Sequence, residues 1–129
     1  MANIDIKDIA VTMLASVNVP LNANGNTTLF TVPAGKRCVL SHAVVIAGSD
    51  AGTTTLSIGA SGTSTDFVPN NTLSNLDAQY DAVIIRPVPN TTPLKSKSYA
   101  AATVIVATVG SQAGGATNTL KLFGILYDV

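Results

Sequence analysis

The chain is made of short apolar, β-branched runs broken at close intervals by Gly, Pro, Asn, Ser and Thr, and that punctuation leaves room for little but an all-β fold. Thr31-Val32-Pro33-Ala34-Gly35-Lys36 spells a sharp turn, in which proline fixes φ and glycine relaxes it. The turn opens Arg37-Cys38-Val39-Leu40-Ser41-His42-Ala43-Val44-Val45-Ile46, and Lys36 to Ala47 is the longest expected strand. Glu is absent, and Gly or Pro interrupts too often for helices to propagate. Only Ile9 to Val19 leaves helix in competition, through Met13, Leu14 and Ala15; Val11, Thr12, Val17 and Val19 tip it toward strand.

Further strands are expected at Thr27–Val32, Thr53–Ile58, Phe67-Val68 (ending at Pro69), Ala82–Arg86, Ser98–Val109 and Thr117–Tyr127. Asn22 to Asn26 reads as a hairpin turn, its Asn-Gly supplying positive φ. Gly59 to Asp66 reads as loop or edge strand. Asn70 to Asp81 reads as irregular and anchored by Leu73, Leu76 and Tyr80, whose spacing also suits one helical turn. The last two runs form a pair across the flexible Gly110–Ala116 loop. The sum is an antiparallel β-sandwich or barrel of roughly eight strands, occupying residues 9–129 as one domain, with residues 1–8 as an N-terminal arm or edge strand.

Strict alternation puts Cys38, Leu40, Val44 and Ile46 on one side of the long strand, and Val39, Ala43 and Val45 on the other. Val104 and Val106 likewise oppose Ile105, Ala107 and Val109, and Leu120, Leu122 and Leu126 oppose Phe123, Ile125 and Tyr127. A two-layer sandwich leaves one face of each sheet wet. Apolar residues on both faces therefore call for covering loops or for other subunits, and the scarcity of charge favours subunits.

Only 11% of the 129 residues are charged, and seven Lys and Arg balance seven Asp. The cations are scattered, so no electrostatic footprint for nucleic acid is expected. No apolar run reaches the ~18 residues of a membrane span. Asp5 and Asp8 spoil the basic leader a signal peptide would need, giving an expectation of a soluble, non-secreted chain. The lone Cys38 excludes an intrachain disulfide and reads as a small buried hydrophobe.

Reactive groups are sparse. His42, the one histidine, is placed by alternation on the face of Leu40 and Val44. Ser41 should then point to the opposite face, which disfavours a Ser-His dyad. Cys38 shares the His42 face at about 13 Å, too far for a nucleophile and its base. Asp77 and Asp81 lack a calcium-loop pattern and read as turn residues, as does Asp50. Gly110 to Gly115 lacks the Lys-Ser/Thr ending of a phosphate loop. No catalytic residue, metal site or cofactor is expected, and the chain reads as a non-enzyme.

Several segments together resemble the small structural proteins of tailed bacteriophage virions, the head decoration or cement proteins above all. These are Thr31 to Lys36 leading into a Val-rich strand, the polar middle, the proline segment Pro87 to Pro93, and a Gly/Ala loop before Leu120-Lys121-Leu122-Phe123-Gly124-Ile125-Leu126. The resemblance spans roughly residues 27 to 127. It implies a jelly-roll-like or barrel domain, often trimeric, assembled in the host cytoplasm and seated on the outer capsid surface. There it would bridge major capsid protein subunits, with no direct contact to nucleic acid or membrane. Ile4, Ile6 and Lys7 are candidate contacts in an arm that adds a strand to a neighbour. Arg86, Lys95 and Lys97, around the proline segment, could meet acidic capsid surface. The rival class is a carbohydrate- or receptor-binding sandwich of a phage tail or fibre tip, for which Tyr80 and Tyr99 are the available stacking residues.

Overall fold

The structure, a computed structural model, describes residues 11–87, 98–111 and 117–129. They form nine strands and no helix: β1 (Thr12–Pro20), β2 (Gly25–Thr31), β3 (Lys36–Ile46), β4 (Thr55–Ala60), β5 (Thr63–Thr72), β6 (Ala82–Ile85), β7 (Ser98–Tyr99), β8 (Val104–Gly110) and β9 (Thr117–Asp128). One sheet runs β1-β9-β3-β6, with the two-residue β7 also on β3; the other runs β2-β8-β4-β5. Every pairing is antiparallel. With β7 set aside, the chain changes sheet at every connection except the β4–β5 hairpin, which is the wiring of a jelly roll.

The core lies between the sheets. Cys38, Leu40, Ala43, Val45, Leu120 and Leu122 of the first sheet meet Leu56, Ile58, Ile105, Ala107 and Val109 of the second, all buried. The expected turn before β3 is present: Lys36 N–H donates to Pro33 O at 3.3 Å, and Gly35 takes φ 76° where the turn needs it. Asp50 accepts from Gly52 N–H at 2.8 Å, the local turn bond its setting suggested.

Five expectations are corrected. Asn22 to Asn26 is no hairpin, because β1 pairs with β9 and β2 with β8; the segment is a corner between sheets. Nor do the last two strands pair with each other, since β8 lies between β2 and β4 while β9 lies between β1 and β3. The run from Ser98 breaks at a turn, where Thr103 N–H donates to Ala100 O and Ala102 takes φ 69°, and this sends β7 and β8 to different sheets. The strand at Phe67-Val68 continues through Pro69 to Thr72, because β5 is an edge strand where a missing N–H is tolerated. Tyr80 is not an anchor: it is exposed at positive φ, while Leu73 and Leu76 are buried as expected.

The parity of β3 also differs from strict alternation. Its register against β9 passes from Leu40↔Gly124 to His42↔Phe123, so Ser41 is an extra residue, a bulge. Cys38 and Leu40 before it, and Ala43 and Val45 after it, all face the core. Val39, His42, Val44 and Ile46 face outward and are half-buried. One inserted residue therefore reverses the expected facing of every side chain after it.

Candidate functional site: the outward face of the first sheet

Register fixes which side chains share the outward face of the β1-β9-β3-β6 sheet. Arg37 pairs with Tyr127, Val39 with Ile125 and with Ser98, and His42 with Phe123, itself opposite Met13. Val44 pairs with Lys121 and with Ile84. The opposite face of this sheet meets the second sheet, and no described strand packs across the outward one. Met13 is 52% exposed and Ile84 62%. The double-faced apolar pattern read in β3 and β9 thus resolves into a core side and a half-exposed, largely apolar outer side.

At one end of the face three polar side chains interlock. Arg37 Nε donates to Ser98 Oγ at 2.9 Å and Arg37 Nη2 to the Ser98 carbonyl at 3.1 Å. Ser98 Oγ and Tyr127 OH lie 2.6 Å apart. Toward the other end the His42 ring stacks on Phe123, centroids 4.7 Å apart and 6° from parallel. Ser41, His42, Ile84 and Arg86 line a hollow of about 290 Å³. A second hollow, about 350 Å³, shares Ile84 and Arg86 and extends toward Asn71 and Asn75.

Charge is distributed unevenly over this surface. Three of the four described cations, Arg37, Arg86 and Lys121, belong to it. The fourth, Lys36, is ion-paired with Asp128 at the end of the sheet. The other described Asp residues lie elsewhere: Asp50 in the turn after β3, Asp66 in β5, and Asp77 and Asp81 between β5 and β6. In a chain of zero formal net charge, one sheet face is cationic and carries no described acid.

The Ser41 bulge also overturns the reading that Ser41 and His42 point apart: Ser41 Oγ lies 3.0 Å from His42 Nδ1. The pair can share a proton. No described carboxylate hydrogen-bonds or ion-pairs with the imidazole, and among the described residues no group of three His, Cys or Asp could hold a metal. Cys38 does not share the His42 face; it is fully buried, and burial pushes its thiol up to about 11. Tyr99 is no stacking platform either, being 3% exposed with its hydroxyl bound to Asp66.

Of the residues singled out from sequence as partner contacts, Arg86 is exposed beside Ile84 on the rim of the hollow. Ile4, Ile6, Lys7, Lys95 and Lys97 lie outside the described residues. Sequence reasoning missed Arg37, Ser98, Tyr127 and Lys121. Period-two counting from Val39 and Phe123 brings Arg37, Tyr127 and Lys121 to the outer face. The pairing of Ser98 with β3 has no local signal. No family model, curated protein or solved structure matches the chain.

Proposed function

We propose that this protein is a virion structural protein, a head decoration (cement) protein that bridges major capsid subunits and stabilises the expanded head. The observation that carries the reading is the outward face of the first sheet, where half-buried apolar side chains lie among Arg37, Arg86 and Lys121. A face of that kind suits burial against another protein. The jelly-roll wiring supports the same reading, since that architecture recurs in capsid proteins and lectins, although a fold does not by itself fix a function. The work is mechanical: binding the expanded lattice and not its precursor stabilises the expanded state by mass action. A homotrimer would engage several capsid sites together and gain avidity through effective concentration.

The test is co-sedimentation of the purified full chain with expanded and unexpanded capsids lacking it, alongside light scattering of the free protein. Saturable binding to expanded capsids, with raised resistance of the particles to heat, is the expected result. A protein that leaves both particles unbound is not a decoration protein.

A further inference from the structure

We infer that the outward face of the first sheet docks an extended segment of a partner protein that carries a carboxylate at one end and an apolar anchor about four residues away. The inference rests on the reading of the chain as a virion structural protein only in naming the major capsid protein as the source of that segment.

The carboxylate end follows from a count of hydrogen-bond donors. A guanidinium has five N–H donors. Arg37 spends one on Ser98 Oγ and one on the Ser98 carbonyl, leaving three with no described acceptor. Ser98 and Tyr127 bring two hydroxyl protons to a single hydroxyl–hydroxyl contact, so one O–H is left over whichever atom donates. The cluster therefore has a surplus of donors around a fixed positive charge, and Ser98 already holds the guanidinium in place. A carboxylate is the protein group that accepts such a fork of N–H donors, through two parallel bonds.

The apolar end is the exposed side chain of Ile84, which with Ser41, His42 and Arg86 bounds the hollow. The Phe123 stack fixes the His42 ring as a flat wall. Between the two ends lie Val39 and Ile125, directly paired across β3 and β9. Arg37 and His42 are five residues apart with one residue spent in the bulge, or roughly 13 Å along the strand. An extended segment covers that distance in about four residues and turns alternate side chains toward the sheet. It thus presents a carboxylate, a middle apolar residue and the anchor to this face.

Charge decides against a second copy laid face to face. Two such faces would oppose Arg37, Lys121 and Arg86 to one another with no described acid to pair them.

The experiment uses the full-length, isotope-labelled protein and the synthetic peptide acetyl-Asp-Thr-Val-Thr-Leu-Thr-amide, with an Asp-to-Lys version as control. The acidic peptide should shift the amide resonances of Val39, Val44, Phe123 and Ile125, and the lysine peptide should not. Arg37→Gln should weaken binding about tenfold, the loss expected for a charge-assisted contact. Ile84→Lys, at a residue already largely exposed, should weaken it while leaving the rest of the spectrum in place. No binding, equal binding of both peptides, or shifts confined to another surface would each overturn the inference. So would a dimer in light scattering that Ile84→Lys dissociates, or a change in these same resonances on deleting residues 2–8, since each names a different occupant. Co-sedimentation keeps the two readings apart. Peptide binding without capsid binding sinks the decoration role and leaves the docking face. Capsid binding that survives both substitutions sinks the docking face and leaves the decoration role.

Discussion

Replacing Tyr99 by Phe removes one oxygen atom and with it a bond between the two sheets. Tyr99 lies on β7 of the first sheet, and its hydroxyl donates at 2.8 Å to Asp66 Oδ1 on β5 of the second. The same carboxylate accepts the Ala60 amide at 3.1 Å and the Thr63 hydroxyl at 3.2 Å, so it organises the bulged β4–β5 hairpin as well. Gly59 clears its seat, since a methyl there would stand 2.5 Å from Asp66 Oδ1. Phe keeps the ring and its packing, so no cavity opens. The loss is that of a hydrogen bond to a charged acceptor, about 2 kcal/mol near neutral pH.

That loss depends on pH in a definite direction. Burial, and then the bond to Asp66, hold the Tyr99 phenol well above its usual range. Above about pH 10 the unfolded chain releases this proton while the folded chain keeps it, so wild-type stability falls as pH rises, by about 1.4 kcal/mol at one unit beyond the unfolded pKa. Phe has nothing to release. The wild-type advantage should therefore shrink from about 2 kcal/mol near neutrality to below about 1 kcal/mol near pH 11. Urea unfolding followed by far-UV circular dichroism suits a chain without tryptophan. A difference that stays constant across this range, or one under about 0.5 kcal/mol near neutrality, would refute the assignment of a buried inter-sheet bond.

Cys38→Ala should flatten a second alkaline decline. The folded thiol is raised from 9.0 to about 11, so wild-type stability is complete below pH 9 and is lost as pH rises through 11, by about 2–3 kcal/mol in all. In the native protein at neutral pH the same thiol should stay inert to a disulfide reagent and react at the rate of unfolding. Gly124→Ala should lower the urea midpoint by the equivalent of about 1–3 kcal/mol with unchanged slope. Its methyl would lie 2.6 Å from the Val39 carbonyl oxygen and 2.9 Å from Leu14 Cδ1, which would force β9 away from β3.

Local chemistry made much of this protein legible. Period-two runs and turn residues located β1, β3, β6 and the turn at Pro33–Lys36, because strand formation and tight turns depend on residues near one another in the chain. The apolar character of both sides of β3 and β9 was also legible, and it foreshadowed the outer face without showing which side was which. Pairing partners were not legible, since β1–β9 and β3–β9 bring together residues 73 to 112 positions apart, and nothing local records that choice. The bulge at Ser41 was equally silent. A one-residue slip leaves composition unchanged, yet it turned His42 away from the core, brought it to Ser41 and Phe123, and parted it from Cys38. By itself, then, the sequence determined an all-β chain with turns in known places, few reactive groups and more apolar strand surface than one core needs. The tertiary structure decided which sheet each strand joined and which way each side chain faced. Packing against distant strands sets register, and register alone gathered Arg37, Ser98 and Tyr127 onto one surface.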